Sequence, residues 1–268
     1  MDYFAPEAKI LVVDDYGMNL RVFKNLLKQT KIQVYVATGG EECIDILKRQ
    51  TVDLIFLDHM MPGMDGVETL HVIRRNKLCE GIPIIMLTAN AIPGDKEKYI
   101  SEGFDDFLSK PIIPDELNQI ILTHLPGEYI TTENTKKMED DSPEKVFDQL
   151  RKSLPEIDFE TGLIMASGDE DFYLELLYDF VHLPIREELE KYLREKDNRS
   201  YCIRIHGFKS SAYSMGAKEL GDLANEMEQM SQDGLLEEIR EKQKRFFEKY
   251  DKICVAFSGH MSYNENQR

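Results

Sequence analysis

The sequence predicts two folded parts of different class: an α/β part with five parallel strands doubly wound by helices, followed by an all-α part arranged as a four-helix bundle. Five short β-branched runs alternate with amphipathic helical stretches in the first half, the pattern of successive βα units. Two of those runs, Ile10-Leu11-Val12-Val13 and Leu54-Ile55-Phe56-Leu57, are apolar without alternation, as strands are when helices cover both sheet faces. The second half lacks strand signals and keeps a helical period almost to its end.

Taken in order, the strands are predicted at Lys9 to Val13, Ile32 to Ala37, Val52 to Leu57, Pro83 to Thr88 and Phe104 to Leu108. Helices are predicted at 17–30, 39–49, 65–77, 94–101 and 113–124, and Pro62-Gly63 and Asp65-Gly66 are turn chemistry leading into the third of them. From Pro126 to Pro143 Thr, Glu, Asn, Lys and Asp dominate, which reads as a linker. The short apolar set Val146, Phe147, Leu150 and Leu154 is expected to cap or dock the next domain. Helices follow near 159–166, 170–197, 199–215, 217–231 and 235–256, with Pro184 breaking or kinking the longest. The expected division is 1–125 for the sheet domain, 126–152 for the linker, 153–262 for the helical domain and 263–268 for a tail.

A chain of 268 residues with 42% hydrophobic content can bury two cores. Its formal charge of −17, with no clustered Lys/Arg surface in either half, opposes nucleic acid and anionic membrane as partners. Cys43, Cys79, Cys202 and Cys254 lie far apart and show no zinc spacing, as expected of free thiols in a reducing cytosol. No stretch is apolar enough to span a bilayer, and the acidic start Met1-Asp2-Tyr3 is unlike a signal peptide, so a cytoplasmic location is expected.

In open parallel sheets ligands sit beyond the carboxyl ends of the strands. Asp14 and Asp15 follow the first strand, Asp58 the third, Thr88 ends the fourth and Lys110 lies just past the fifth, so all five are expected on one edge. Crowded carboxylates call for a hard cation with oxygen ligands, such as Mg²⁺. Asp58 can then attack phosphorus, while the Thr88 hydroxyl and Lys110 ammonium stabilise the phosphoryl oxygens. Each residue taken singly is ordinary turn or cap chemistry. Five of them at matching strand ends are not.

The segments Ile10 to Asp15, Leu57 to Gly66, Leu87-Thr88-Ala89-Asn90 and Asp106 to Pro111 resemble the receiver domain of two-component response regulators, over about residues 7–125. Met18-Asn19-Leu20 and Thr88-Ala89-Asn90-Ala91 bring the resemblance nearest to receivers attached to hybrid sensor kinases. It implies Asp58 as phosphoacceptor, Asp14 and Asp15 as metal-site carboxylates, the backbone carbonyl of Met60 as a further metal ligand, and Thr88 and Lys110 as phosphate contacts. It also implies Phe107 as an aromatic switch and a cis peptide before Pro111. Tyr16 stands where that subgroup often has a small polar residue, which bears on access to the site. His59 beside the acceptor and Gly63 and Gly66 after it are expected to be solvent-facing and structural, respectively.

In the helical half Tyr201, Ile205, Phe208, Ala212 and Met215 share one apolar stripe, and His206 lies on the order of 140° round from it. It is therefore expected to face water. Lys209 and Ser210 border it at i+3 and i+4, offering a cation for phosphoryl oxygens and a small neighbour that leaves approach open. His206-Gly207-Phe208-Lys209-Ser210-Ser211, with Met215-Gly216-Ala217 and Leu220, resembles the histidine phosphotransfer (HPt) domain over about residues 155–256. That resemblance implies a four-helix bundle carrying phosphate on His206, and the chain departs from it with Phe208 for Leu and Ser210 for Gly.

The expected function is thus a phosphorelay, with phosphate carried on Asp58 and His206, Mg²⁺ as cofactor, and a sensor histidine kinase and other receiver or phosphotransfer domains as partners. The alternative is the C-terminal segment of a hybrid sensor histidine kinase, to which Phe4-Ala5-Pro6 before the first strand is suited. No Gly-rich nucleotide site is visible, so the chain itself reads as a phosphoryl carrier rather than an ATP-driven kinase. A haloacid-dehalogenase-type phosphatase is disfavoured because Asp14 and Asp15 are adjacent rather than one residue apart. A non-relay interaction module stays open at this point.

Overall fold

The computed structural model describes residues 3–88, 95–131 and 144–265. The chain divides into two compact units, Met1–Lys137 and Met138–Arg268. In the first, strands β1 (Lys9–Val13), β2 (Gln33–Ala37), β3 (Leu54–Asp58), β4 (Ile84–Thr88) and β5 (Asp106–Ser109) alternate with helices α1 (Gly17–Leu26), α2 (Gly40–Leu47), α3 (Gly66–Arg75), α4 (Asp95–Glu102) and α5 (Pro114–His124). All strand pairs are parallel, in the order β2-β1-β3-β4-β5. β3 and β4 are buried along their whole length, which is why their sequences are apolar without alternation.

Local chemistry sets the ends of these elements. The predicted first helix stops at Leu26, continues as a 3-10 turn over Lys28–Thr30 and ends at Lys31, whose φ of 59° is left-handed. Asp65 and Glu68 cap α3 reciprocally: Asp65 Oδ1 accepts from the Glu68 N–H at 2.8 Å and Glu68 Oε2 from the Asp65 N–H at 3.2 Å. β5 starts later than expected because Gly103, with φ 107°, ends α4 and the Phe104 N–H donates back to Tyr99 O. Lys110-Pro111 is cis.

The second unit is helical throughout its described residues: α6 (Glu144–Ser153), α7 (Phe159–Met165), α8 (Glu170–Val181), α9 (Ile185–Glu195), α10 (Asn198–Ser214), α11 (Lys218–Gln232) and α12 (Leu236–Glu265). Asp158, Asp169 and Asp197 cap α7, α8 and α10. The long helix expected over 170–197 is broken, with Pro184 at the N-cap of α9. α10 packs between α9 and α11, and α11 packs on α12. Phe208 is fully buried, its ring centroid 5.2 Å from Phe180 and 5.0 Å from Phe246.

Two expected boundaries shift. The stretch read as linker to residue 152 contains α6, whose Phe147 ring lies 5.3 Å from Phe159 and 5.9 Å from Tyr173, so it belongs to the helical core. α12 runs through the expected end of the helical domain to Glu265. Replacing Phe147 by Ala should therefore destabilise the second unit by about 3 kcal/mol, the cost of a large buried aromatic. Urea unfolding followed by far-UV circular dichroism would show it, and a shift below about 0.5 kcal/mol would place α6 outside the core.

Candidate functional site

The sheet order reverses direction about β1, so the loops after β1 and β3 open side by side at one edge. Asp14 follows β1 directly and Asp58 is the last residue of β3. Together with Asp15 they offer carboxylate oxygens that all lie within 4.8 Å of one another. Lys110 reaches them from beyond β5, its Nζ 2.6 Å from Asp14 Oδ2 and 2.7 Å from Asp58 Oδ1. All three of these side chains are almost wholly buried.

The backbone holds this arrangement in place. The Lys110 N–H donates to Thr88 O at 2.7 Å, which ties the loop after β5 to the end of β4. Asp14 accepts from the Tyr16 N–H at 2.8 Å and from Asn19 Nδ2 at 3.1 Å to each oxygen, so its carboxylate is oriented from α1 as well as by Lys110. Gly66 is needed for close approach: a Cβ there would sit 2.2 Å from the Asp58 carbonyl oxygen.

One ammonium among three carboxylates leaves a surplus of negative charge. Burial pushes the Asp15 carboxyl up, the charges of Asp14 and Asp58 push it further, and Lys110 only partly offsets them, giving about 7. Burial alone would pull the Lys110 ammonium down, but the two carboxylates outweigh it and hold the group above the ordinary lysine range. Lys110 is thus a fixed cation. The donor set, three oxygen ligands crowded without enough countercharge, fits a hard divalent cation.

The other expected residues are placed as follows. Thr88 is buried with its hydroxyl 3.1 Å from the Tyr99 hydroxyl, so it lies at the right strand end and is engaged by α4. Met60 lies two residues beyond Asp58 in the loop leaving β3, half-buried. Phe107 is half-buried in β5, its ring centroid 6.4 Å from Tyr99, and His59 lies 5.9 Å from Tyr99 on another side. Ala89, Asn90 and Ala91 fall outside the described residues. Tyr99 and Asn19 had no assigned role in the sequence. Their only signal is position, an aromatic in the helix after Thr88 and an amide in the first turn after the Asp pair.

In the helical unit the expectation that His206 faces water is overturned. The residue is 4% exposed. Angle from the apolar stripe measures distance from one core face only, and α10 is covered on a second face by α11. The contact is a polar seam. His206 Nδ1 is 2.7 Å from Glu228 Oε1, Lys209 Nζ is 2.5 Å from Glu228 Oε2 and donates to Asn225 Oδ1 at 3.2 Å, and the Tyr213 hydroxyl donates to Asp222 Oδ1 at 2.8 Å. Ser210, also buried, directs its hydroxyl to the His206 carbonyl oxygen. Glu228 is the residue sequence reading missed. Polar positions 222, 225 and 228 on α11, at helical spacing, matched against 213, 209 and 206 on α10, are the signal that could have found it.

The family described as "Response regulator receiver domain" matches residues 10–122. The signal transduction histidine-protein kinase BarA of Escherichia coli (strain K12) is 29% identical over 233 residues, covering 85% of this chain and 24% of BarA. The sensor protein GacS of Pseudomonas syringae pv. syringae is 27% identical over 221 residues, 79% of this chain and 23% of GacS. The chain thus spans about a quarter of the length of these relatives. A solved receiver domain of a Pseudomonas aeruginosa PAO1 sensor histidine kinase, with magnesium coordinated in its active site cleft, is 32% identical over 44% of this chain and 96% of its own, with a TM-score of 0.41. Residues 10–122 of the chain are a response regulator receiver domain, homologous to the receiver parts of hybrid histidine kinases.

Proposed function

We propose that the chain is a two-station cytoplasmic phosphorelay protein in which Asp58 of the receiver and His206 of a four-helix phosphotransfer bundle, made by α8–α9, α10, α11 and α12, each carry phosphate. The observation that carries this reading is the Asp14–Asp15–Asp58 cluster at the sheet edge with Lys110 within 2.7 Å of two of its members. Asp58 attacks the phosphorus of an incoming phosphohistidine, an O–P bond forms, the P–N bond breaks, and the imidazole leaves. Lys110 exchanges a carboxylate contact for a phosphoryl oxygen, and the Thr88 hydroxyl turns from Tyr99 to another, so the developing charge meets donors already in place.

Asp14, Asp15, Asp58 and the Met60 carbonyl would hold Mg²⁺. The ion would neutralise the charge that gathers on the phosphoryl oxygens. The aligned length of 233 residues with BarA exceeds the 137 of the first unit, so the similarity continues into the helical half. That, with the quarter-length coverage, favours a second and compatible reading: the chain corresponds to the receiver and phosphotransfer segment of a hybrid sensor histidine kinase, with the kinase and other receiver or phosphotransfer domains as its partners.

Incubation with a phosphorylated donor kinase followed by peptide mass spectrometry should place acid-stable label on Asp58 and acid-labile, base-stable label on His206. Asp58→Asn should remove both, because His206 is reached through the aspartyl phosphate, and His206→Gln only the second. Labelling that neither substitution changes would sink the proposal. A second expectation concerns Mg²⁺. Asp15 must lose its proton to become a ligand, so affinity should rise as pH climbs through about 7 and level off above it. The sign follows from the raised folded-state pKa, which makes metal-free stability decline as pH rises from the ordinary Asp range to about 7, a loss that bound Mg²⁺ reverses. Calorimetric titration should find close to one proton released per ion on the acidic side of that pH; no release there would contradict Asp15 as a ligand.

A further inference from the structure

On the helical unit, α9 and α12 border an open groove of about 570 Å³, within the size range of small-molecule sites. Arg186 near the start of α9 meets Asp251 far along α12 at 2.7 Å, and the groove continues to Arg194 on one helix and back to Arg240 on the other, so the two run antiparallel. Its two ends are unlike. At the first, Arg186 is engaged on every side: its guanidinium lies 4.1 Å from the Phe247 ring centroid, 2.7 Å from Asp251 and 3.9 Å from Glu190. At the second, Arg194 of α9 comes opposite Arg240 and Lys244, which are about one helical turn apart on α12. Arg194 and Lys244 have no ion pair or hydrogen bond with any of the described residues. Gln243 beside them is 5% exposed; its Oε1 accepts from the Tyr201 hydroxyl at 2.8 Å, and its Nε2 has no partner among the described residues. Two cations and an anchored amide donor, all lining one groove in a chain of formal charge −17, suit an anion.

We propose that this groove is a binding site for a nucleoside monophosphate. The phosphate lies at the basic end, where the Arg194 guanidinium offers a fork matched to two of its oxygens and Lys244, Arg240 and the Gln243 amide take the others. Glu190 and Glu248 line the same groove and would repel a bare anion, but a carboxylate accepts hydrogen bonds, and the ribose hydroxyls and base N–H groups supply them. The Arg186 guanidinium, held flat on Phe247, presents its outer face as a plane on which a base can stack. The ligand class thus follows from three features together: an anion hole, acceptors for neutral donors, and a flat cation between them. The cations come from two helices separated by all of α10 and α11, which is why no basic cluster shows in the sequence. The groove shares no residue with the His206 seam, so the inference does not rest on His206 carrying phosphate.

The test is calorimetric titration of the full chain with AMP and with GMP, in magnesium-free buffer so that the receiver edge does not take up phosphate through a metal. At least one nucleotide should bind saturably, and inorganic phosphate and the matching nucleoside should each bind at least about tenfold more weakly, since each keeps only part of the contacts. Arg194→Ala and Lys244→Ala remove exposed side chains and leave the helix packing in place, and each should weaken the nucleotide by about five- to tenfold, the loss of one charge-assisted hydrogen bond. Lys218→Ala, an exposed cation on α11 outside the groove, should leave the affinity unchanged. Three results would each overturn the proposal: no saturation by either nucleotide up to about 5 mM, inorganic phosphate binding as tightly as the nucleotide, or an affinity that Arg194→Ala and Lys244→Ala alter no more than Lys218→Ala does. None of these readouts involves label on Asp58 or His206, so failure of the groove and failure of the relay are distinguishable.

Discussion

A charge removed from water has to find an opposite charge at hydrogen-bonding distance, and both units of this protein are organised round that requirement. In the receiver, Lys110 sits between Asp14 and Asp58, with the three side chains at most 3% exposed. In the helical unit, Glu228 sits between His206 and Lys209, none of the three above 5%. Removing the cation of such a buried set, Lys110 in the receiver, typically costs about 3–5 kcal/mol, because it leaves carboxylates buried without that countercharge. Against a typical domain stability of about 5–15 kcal/mol, that is a large share. The groups proposed for the chemistry are therefore also groups the fold needs.

The sheet explains how carboxylates that repel one another can be brought together at all. Asp58 is locked as the final residue of a strand paired on both sides, with Leu57 opposite Val13 of β1 and Asp58 itself opposite Leu87 of β4. Asp14 leaves the neighbouring strand with its N–H donated to Ala37 O of β2. Each carboxylate is thus delivered by backbone hydrogen bonds that do not depend on the site. Apolar packing of Leu11, Val13, Ile55, Leu57 and Met86 beneath the edge supplies the stabilisation that offsets the repulsion above it. The candidate site occupies the edge, and the apolar core lies behind it.

Much of the receiver was legible because its information is local in sequence. A strand followed at once by an acid, repeated at Val13-Asp14 and Leu57-Asp58, places both acids on one edge as soon as the strands are known to be parallel. What was not legible is what depends on a distant element. The position of His206 on its own helix was read correctly relative to its apolar stripe, but nothing in residues 198–214 says that α11 covers the other face. Tyr99 meets Thr88, and Asn19 meets Asp14, only after the fold has closed. α6 was legible in part: Phe147, Leu150 and Leu154 were expected to dock on the next domain and are buried, but the polar stretch before them led the linker to be drawn through them to residue 152.

The two buried charge sets differ in balance, and that difference bears on what each can do. At the receiver edge three carboxylates face one ammonium, so the site suits a further cation. In the helical seam one carboxylate faces one ammonium and one imidazole nitrogen, so its charges lie nearer balance, while His206 Nε2 is buried with no hydrogen-bond partner among the described residues. The unbalanced edge is where the fold gathers oxygen ligands faster than it supplies countercharge, and a hard divalent cation is the group that suits it.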